Sequence, residues 1–127
     1  MTKKELKELI DLPLNDFGNA LRLQAIFGKR WQYLPRFKCW MFWDQCRWKG
    51  QRTKDIQYEA EAAFRHLAQD IYDMPLPKEE WEQEHITDAI LWLTLSQHST
   101  RVKNAVKLYR DMQLAEEAVR EEVLRGN

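Results

Sequence analysis

Residues 15–54 read NDFGNALRLQAIFGKRWQYLPRFKCWMFWDQCRWKGQRTK, and no other part of the chain departs so far from an ordinary helical pattern. Eight aromatics fall within residues 27–48: Phe27, Trp31, Tyr33, Phe37, Trp40, Phe42, Trp43 and Trp48. Within residues 20–54, nine Lys or Arg stand against one acid, Asp44. Aromatic faces interleaved with cations suit stacking on bases and neutralising phosphates. They equally suit a small core with basic side chains snorkelling from its edges. Composition does not choose between the two.

The stretch divides into a helix and a small sheet. Asn15 or Asp16 is a good N-cap for a helix running to about Phe27, with Phe17, Ala20, Leu21 and Ala25 approximating one apolar stripe that Leu23 and Ile26 broaden. Gly28 stands where a left-handed residue ends a helix. Gln32-Tyr33-Leu34 reads as extended, since a residue before proline is pushed out of the helical region. Cys39, Met41 and Trp43 then alternate with Trp40 and Phe42 on opposite faces of a strand. Asp44-Gln45-Cys46 reads as a turn, Arg47-Trp48-Lys49 as a return strand and Gly50 as its breaker. A two- or three-stranded element of this size is not stable alone, so some of its tryptophans belong to the core.

The rest reads as helix. Leu6, Leu9 and Ile10 form one face of a short helix over residues 3–11, closed by Pro13. Ile56, Ala60, Ala63, Phe64, Leu67 and Ile71 make an uninterrupted stripe to about Tyr72. Pro75 and Pro77 break the chain, and a helix from Pro77-Lys78-Glu79-Glu80 passes through Ile86, Ala89, Ile90 and Leu93 to about Gln97. Ser99 caps a last helix bearing Val102, Ala105, Val106, Tyr109, Met112, Glu116, Val119 and Val123, with residues 120–125 as a frayed tail. The expected fold is a mostly helical α+β single domain, residues 1–127, of four or five helices and one small Trp-rich antiparallel hairpin. Residues 15–54 carry the first helix-plus-hairpin unit and residues 55–124 the helical part.

Other features narrow the function. Residues 55–98 hold ten acids against two bases, so the zero net charge hides a basic and an acidic block. The blocks either neutralise each other within the fold or present two faces of opposite sign. No apolar run is long enough to span a membrane, and the first residues lack the apolar core of a signal peptide, so a cytoplasmic protein is expected. Cys39 and Cys46 form no CxxC pair and read as reduced structural thiols. The four glycines are isolated, which excludes a P-loop. His66, His85 and His98 have no metal-ligand spacing, and no serine or cysteine stands in a nucleophile motif. Trp81 and Trp92 lie at helical spacing and read as core. No catalytic group, metal or cofactor is indicated.

Asp16-Phe17-Gly18-Asn19-Ala20-Leu21-Arg22, then Phe27-Gly28, Tyr33-Leu34-Pro35, Trp40, Trp43-Asp44 and Trp48 carry a resemblance. In order and spacing they resemble the linker domain between primase and helicase in poxvirus- and phage-type primase–helicases, the region preceding a superfamily 3 helicase. Trp92-Leu93-Thr94-Leu95-Ser96 and the helix after Arg101 resemble its helical half, so the likeness covers about residues 15–112. It implies a non-catalytic replication module that supports oligomer assembly and touches single-stranded DNA. Physically, Asp16 would cap, Gly18 and Ala20 would permit close packing, Asn19 and Arg22 would tie the hairpin, and Trp40, Trp43 and Trp48 would cover the helix. Gln45-Cys46 stands where the family's turn carries glycine, and the chain stops at Asn127 where a helicase would follow. It is therefore either an excised domain or a free-standing protein of phage or plasmid type.

Two functions follow as expectations. In the first, a non-enzymatic replication module contacts single-stranded DNA or neighbouring subunits through Arg22, Lys29, Arg30, Arg36, Lys38, Trp40, Arg47, Lys49, Arg52 and Lys54. In the second, a protein-interaction module or inhibitor uses the acidic block or the aromatic hairpin against a replication or host nucleic-acid-handling partner, with self-association open.

Overall fold

A computed structural model describes residues 1–126. Five helices and three strands follow in order: α1 (Lys3–Asp11), α2 (Asp16–Phe27), β1 (Trp31–Leu34), β2 (Cys39–Trp43), β3 (Trp48–Gln51), α3 (Thr53–Tyr72), α4 (Glu80–Leu95) and α5 (Ser99–Leu124). The strands form one antiparallel sheet in the order β1-β2-β3. Gly50 does not break β3; it pairs opposite Met41 inside the strand. Nor does the last helix fray at residue 120, since α5 continues to Leu124.

Local chemistry explains the boundaries. Thr2 and Glu5 form a reciprocal capping box on α1. Asn15, rather than Asp16, caps α2 by accepting the Gly18 N–H at 2.7 Å. Asp16, freed from capping, accepts from Asn104 and pairs with Arg101, both on α5. Gly28 ends α2 at φ 59, as its sequence position required. His98, not Ser99, holds the N-cap position of α5 and supplies no side-chain bond there.

The core lies between α2, α3, α5 and the inner sheet face. All six stripe residues of α3, from Ile56 to Ile71, are buried. On α2 the buried face differs from the predicted one: Asn19, Ala20, Arg22, Leu23 and Phe27 point in, whereas Phe17 is half exposed and Ala25 lies at the surface. Ala20 and Leu23 of the expected stripe are fully buried, but two polar residues share the core face with them, which turns that face away from Phe17 and Ala25. Trp92 is partly buried as core, but Trp81 is 65% exposed.

Arg22 joins α1 to α2. Its guanidinium donates to the backbone carbonyls of Leu9, Leu12 and Pro13 and to Asn19 Oδ1, at 2.8–3.1 Å. The Leu9 and Leu12 carbonyls lie at the C-terminal end of α1, where helix acceptors lack partners and the macrodipole is negative. The cation thus neutralises a helix end without a carboxylate. Burial lowers its pKa to about 10, which leaves it charged near neutrality. Asn19 extends the network by donating to Ser96 Oγ and accepting from the Trp92 indole. These two residues tie α2 to α1 and to the end of α4, and not to the hairpin. Gly18 is obligatory here, because a Cβ would stand 1.8 Å from the Pro13 carbonyl oxygen.

Candidate nucleic-acid interface

Strand alternation sorts the aromatics onto two sides. The register places Trp31 opposite Phe42 and Tyr33 opposite Trp40, all toward the helices. There Trp40 stacks on Tyr109 of α5 with centroids 5.7 Å apart and planes 12° apart, while Trp31 and Phe27 close around them. The outer face carries Leu34 opposite Cys39, Gln32 opposite Met41, and Trp43 opposite Trp48. Trp43 and Trp48 lean on each other at 5.5 Å and 54°, and both remain open to solvent at 36% and 43%. They do not cover α2.

The ten residues selected from sequence therefore separate. Arg22 and Trp40 are fully buried and present nothing to a polyanion: Arg22 is spent on the α1 terminus and Trp40 on the core. Arg30 folds back onto the Ile26 and Phe27 carbonyls at the end of α2. Lys49 pairs with Asp44 at 3.0 Å, Arg52 with Asp55, and Lys54 lies over the Tyr58 ring. Lys29, Arg36, Lys38 and Arg47 are exposed and have no acidic partner among the described residues. Arg36 and Lys38 occupy the β1–β2 turn beside the exposed Phe37, and Arg47 occupies the β2–β3 turn beside Trp48. The cations thus flank the outer face at both ends of the sheet.

Asp44 shapes the second turn. Its carboxylate accepts the Arg47 and Cys46 N–H groups at 2.8 and 2.9 Å. Those bonds and the Lys49 ammonium lower its pKa to about 2. The turn leaves Gln45 at φ 77, the conformation a glycine there would favour. Cys46 is exposed in this turn instead of serving as a structural core thiol, and neither cysteine is bridged.

Trp43 and Trp48 were absent from the residues chosen by sequence, although alternation already set Trp43 against Trp40. What the sequence lacked was the side on which the helices lie. A second feature it did not reveal is a cleft of about 670 Å³ between β1, the end of α2 and α5. Here Gln113 of α5 accepts from the Tyr33 N–H and donates to the Trp31 carbonyl, filling the free edge of β1 as a neighbouring strand would. Tyr109 also lines the cleft, with its hydroxyl sealed from solvent; burial raises its pKa, and the neighbouring Gln113 side chain opposes that rise.

Among the described residues no cluster of three or more His, Cys, Asp or Glu side chains is placed to hold a metal. No helix among them is long and apolar enough to cross a membrane. His85 meets Asp11 across α4 and α1 at 3.0 Å, while His66 and His98 are exposed on other elements.

Fold and surface together define a small, mostly helical α+β module whose sheet leaves two tryptophans open on one face, with exposed cations in the connections at its ends. By sequence it belongs to the family described as D5 N terminal like, which matches residues 20–123. This is the N-terminal domain of D5-like primase–helicases, a replication-associated module. The match runs past residue 112, so it takes in most of α5 as well as the helix-and-sheet half. No curated protein and no solved structure gives a significant match.

Proposed function

We propose that this chain is a non-catalytic binding module of a replication assembly that holds single-stranded DNA on the outer face of its sheet. One observation carries the reading: Trp43 and Trp48 are half exposed side by side on that face, with unpaired cations at both of its ends. Indole rings stack on any base, and cations bind the backbone without reading sequence, so the mode is sequence-tolerant. Lys49 stands opposite Phe42, on the other side of the sheet from Trp43 and Trp48, and pairs with Asp44, so it lies outside this surface.

Titration with an oligothymidine at low salt should quench tryptophan fluorescence. Trp43→Ala and Trp48→Ala should each weaken binding by about 1–3 kcal/mol while leaving thermal stability nearly unchanged. The absence of quenching at low ionic strength would reject the reading.

A second reading, a protein-interaction module, draws on a different surface. Trp81, Leu91 and Leu95 are exposed along α4 among Glu84 and Asp88, and Val119, Val123 and Leu124 are exposed at the end of α5. Exposed apolar side chains aligned on helices suit a replication or host protein partner, or another copy. A complex that survives nuclease treatment and is lost on Leu91→Glu supports it.

A further inference from the structure

We propose that the single strand lies lengthwise along β2 and meets a second stacking station at Phe37, in the β1–β2 turn. The inference rests on the single-strand reading above and adds to it a residue, a direction and a length. Phe37 is 70% exposed, more than either Trp43 or Trp48. On either side of it Arg36 and Lys38 are exposed, with no acidic partner among the described residues. Lys38 takes φ 49, a conformation in which glycine or asparagine is the ordinary occupant. An open ring beside free cations thus occurs twice on the sheet: here, and at its other end where Arg47 precedes Trp48. Such a pairing stacks on a base and holds its phosphate.

Distance sets the occupant. Trp43 and Cys39 bound β2, and the strand carries them about 14 Å apart, with Phe37 beyond Cys39 in the turn. No single base touches both stations, whereas a chain of nucleotides does. Between them the outer face carries Met41 with Gln32 and Gly50 on either side, then Cys39 opposite Leu34, so no charged side chain stands on the way. Asp44, the one acid close by, is held by the N–H groups of its own turn and by Lys49. Cations at both ends of an uncharged middle complement a strand whose phosphates are held at the turns and whose bases cross the sheet. Gly50 raises no side chain on this path, although the fold leaves room for one: a Cβ there would meet only Met41 Sδ, at 4.0 Å. Glycine inside a strand marks close approach by a ligand or another backbone.

The test follows tryptophan quenching in the full chain with a thymidine dinucleotide, whose adjacent bases cannot bridge the stations, and with a decanucleotide, which can. Phe37→Ala should weaken the decanucleotide about fivefold or more and leave the dinucleotide unchanged. No cation is removed, so the salt slope of decanucleotide affinity should stay the same; a turn that had merely loosened would displace Arg36 and Lys38 and make the slope shallower. Phe37→Trp should restore the affinity, and Phe37→Leu, apolar but unable to stack, should not. Gly50→Val puts a side chain on the path and should weaken the decanucleotide alone, with thermal stability kept or raised. Absence of quenching by the decanucleotide in the wild type would reject the single-strand reading itself. Quenching that persists with unchanged affinity in Phe37→Ala, equal losses at both lengths, a shallower slope, full rescue by leucine, or no effect of Gly50→Val would overturn the lengthwise arrangement alone.

Discussion

Arg22 shows how a residue can match a nucleic-acid binder in sequence and serve the fold alone. A lone arginine in a basic stretch reads as phosphate-seeking, yet this one satisfies three main-chain carbonyls and Asn19 in the interior. Replacing it by Met leaves these acceptors dry, and we expect a loss of about 3 kcal/mol or more in urea unfolding. Arg22→Lys should recover less than half, because an ammonium cannot span the divergent carbonyls. A loss below about 1 kcal/mol would mean that water replaces the guanidinium without cost. Asp44 is a second instance, with a readable pH signature. Its carboxyl titrates at about 2 in the turn against an ordinary 3.8, so between those values the unfolded chain binds more protons. The turn is therefore supported above about pH 4 and loses that support as pH falls toward 2. The Trp43–Trp48 exciton band in circular dichroism should follow that course in the wild type and show no such dependence in Asp44→Asn. A wild-type midpoint near the ordinary carboxylate value would contradict the bonds that Asp44 makes.

Among the elements, legibility tracked how evenly apolar residues were spaced. The α3 stripe has no interruption, and each of its six residues is buried. The α2 stripe is only partly legible: Ala20 and Leu23 are buried, but the polar Asn19 and Arg22 complete the inward face that Phe17 and Ala25 were expected to share. The sheet was legible as alternation, but which face packs on helices is a tertiary fact, and it reverses the roles of Trp40 and Trp43. Gly50 looked like a stop because glycine weakens strands, whereas pairing with β2 carries the chain through it. Least legible was the edge of β1, protected by a glutamine eighty residues further along the chain. Gln113→Ala strips both bonds from that edge and should cost about 1–3 kcal/mol. It should also abolish hydrogen-exchange protection at Tyr33, whose N–H Gln113 accepts. Gln113→Glu keeps that acceptor but not the donor to the Trp31 carbonyl, so Tyr33 should remain protected while stability still falls. Loss of protection in both variants alike would point to general loosening of α5 in place of a side chain standing in for a strand.

Across the molecule, the basic and acidic blocks of the sequence do not cancel pair by pair. Some cations of residues 20–54 are buried, cap a helix or meet a nearby acid, yet Lys29, Arg36, Lys38 and Arg47 stay unpaired around the sheet among the described residues. The acids of residues 79–88 gather instead on α4 and the loop before it, where Glu80, Glu84 and Asp88 are exposed. This separation gives the chain a direction for a polyanion even at zero formal net charge. If each of the four free cations neutralises one phosphate, log affinity for oligothymidine should fall against log salt with a slope of about −3. Arg47→Ala should make that slope shallower by about 0.7, since one fewer counterion is released. Glu84→Gln, on the acidic side, should leave the slope where it was and shift affinity only slightly, by removing repulsion beyond a Debye length. Parallel affinities at all salt concentrations would mean that stacking alone holds the strand. The cations at the two turns would then have no part in binding, and the acidic helix faces would become the surface on which to seek a partner.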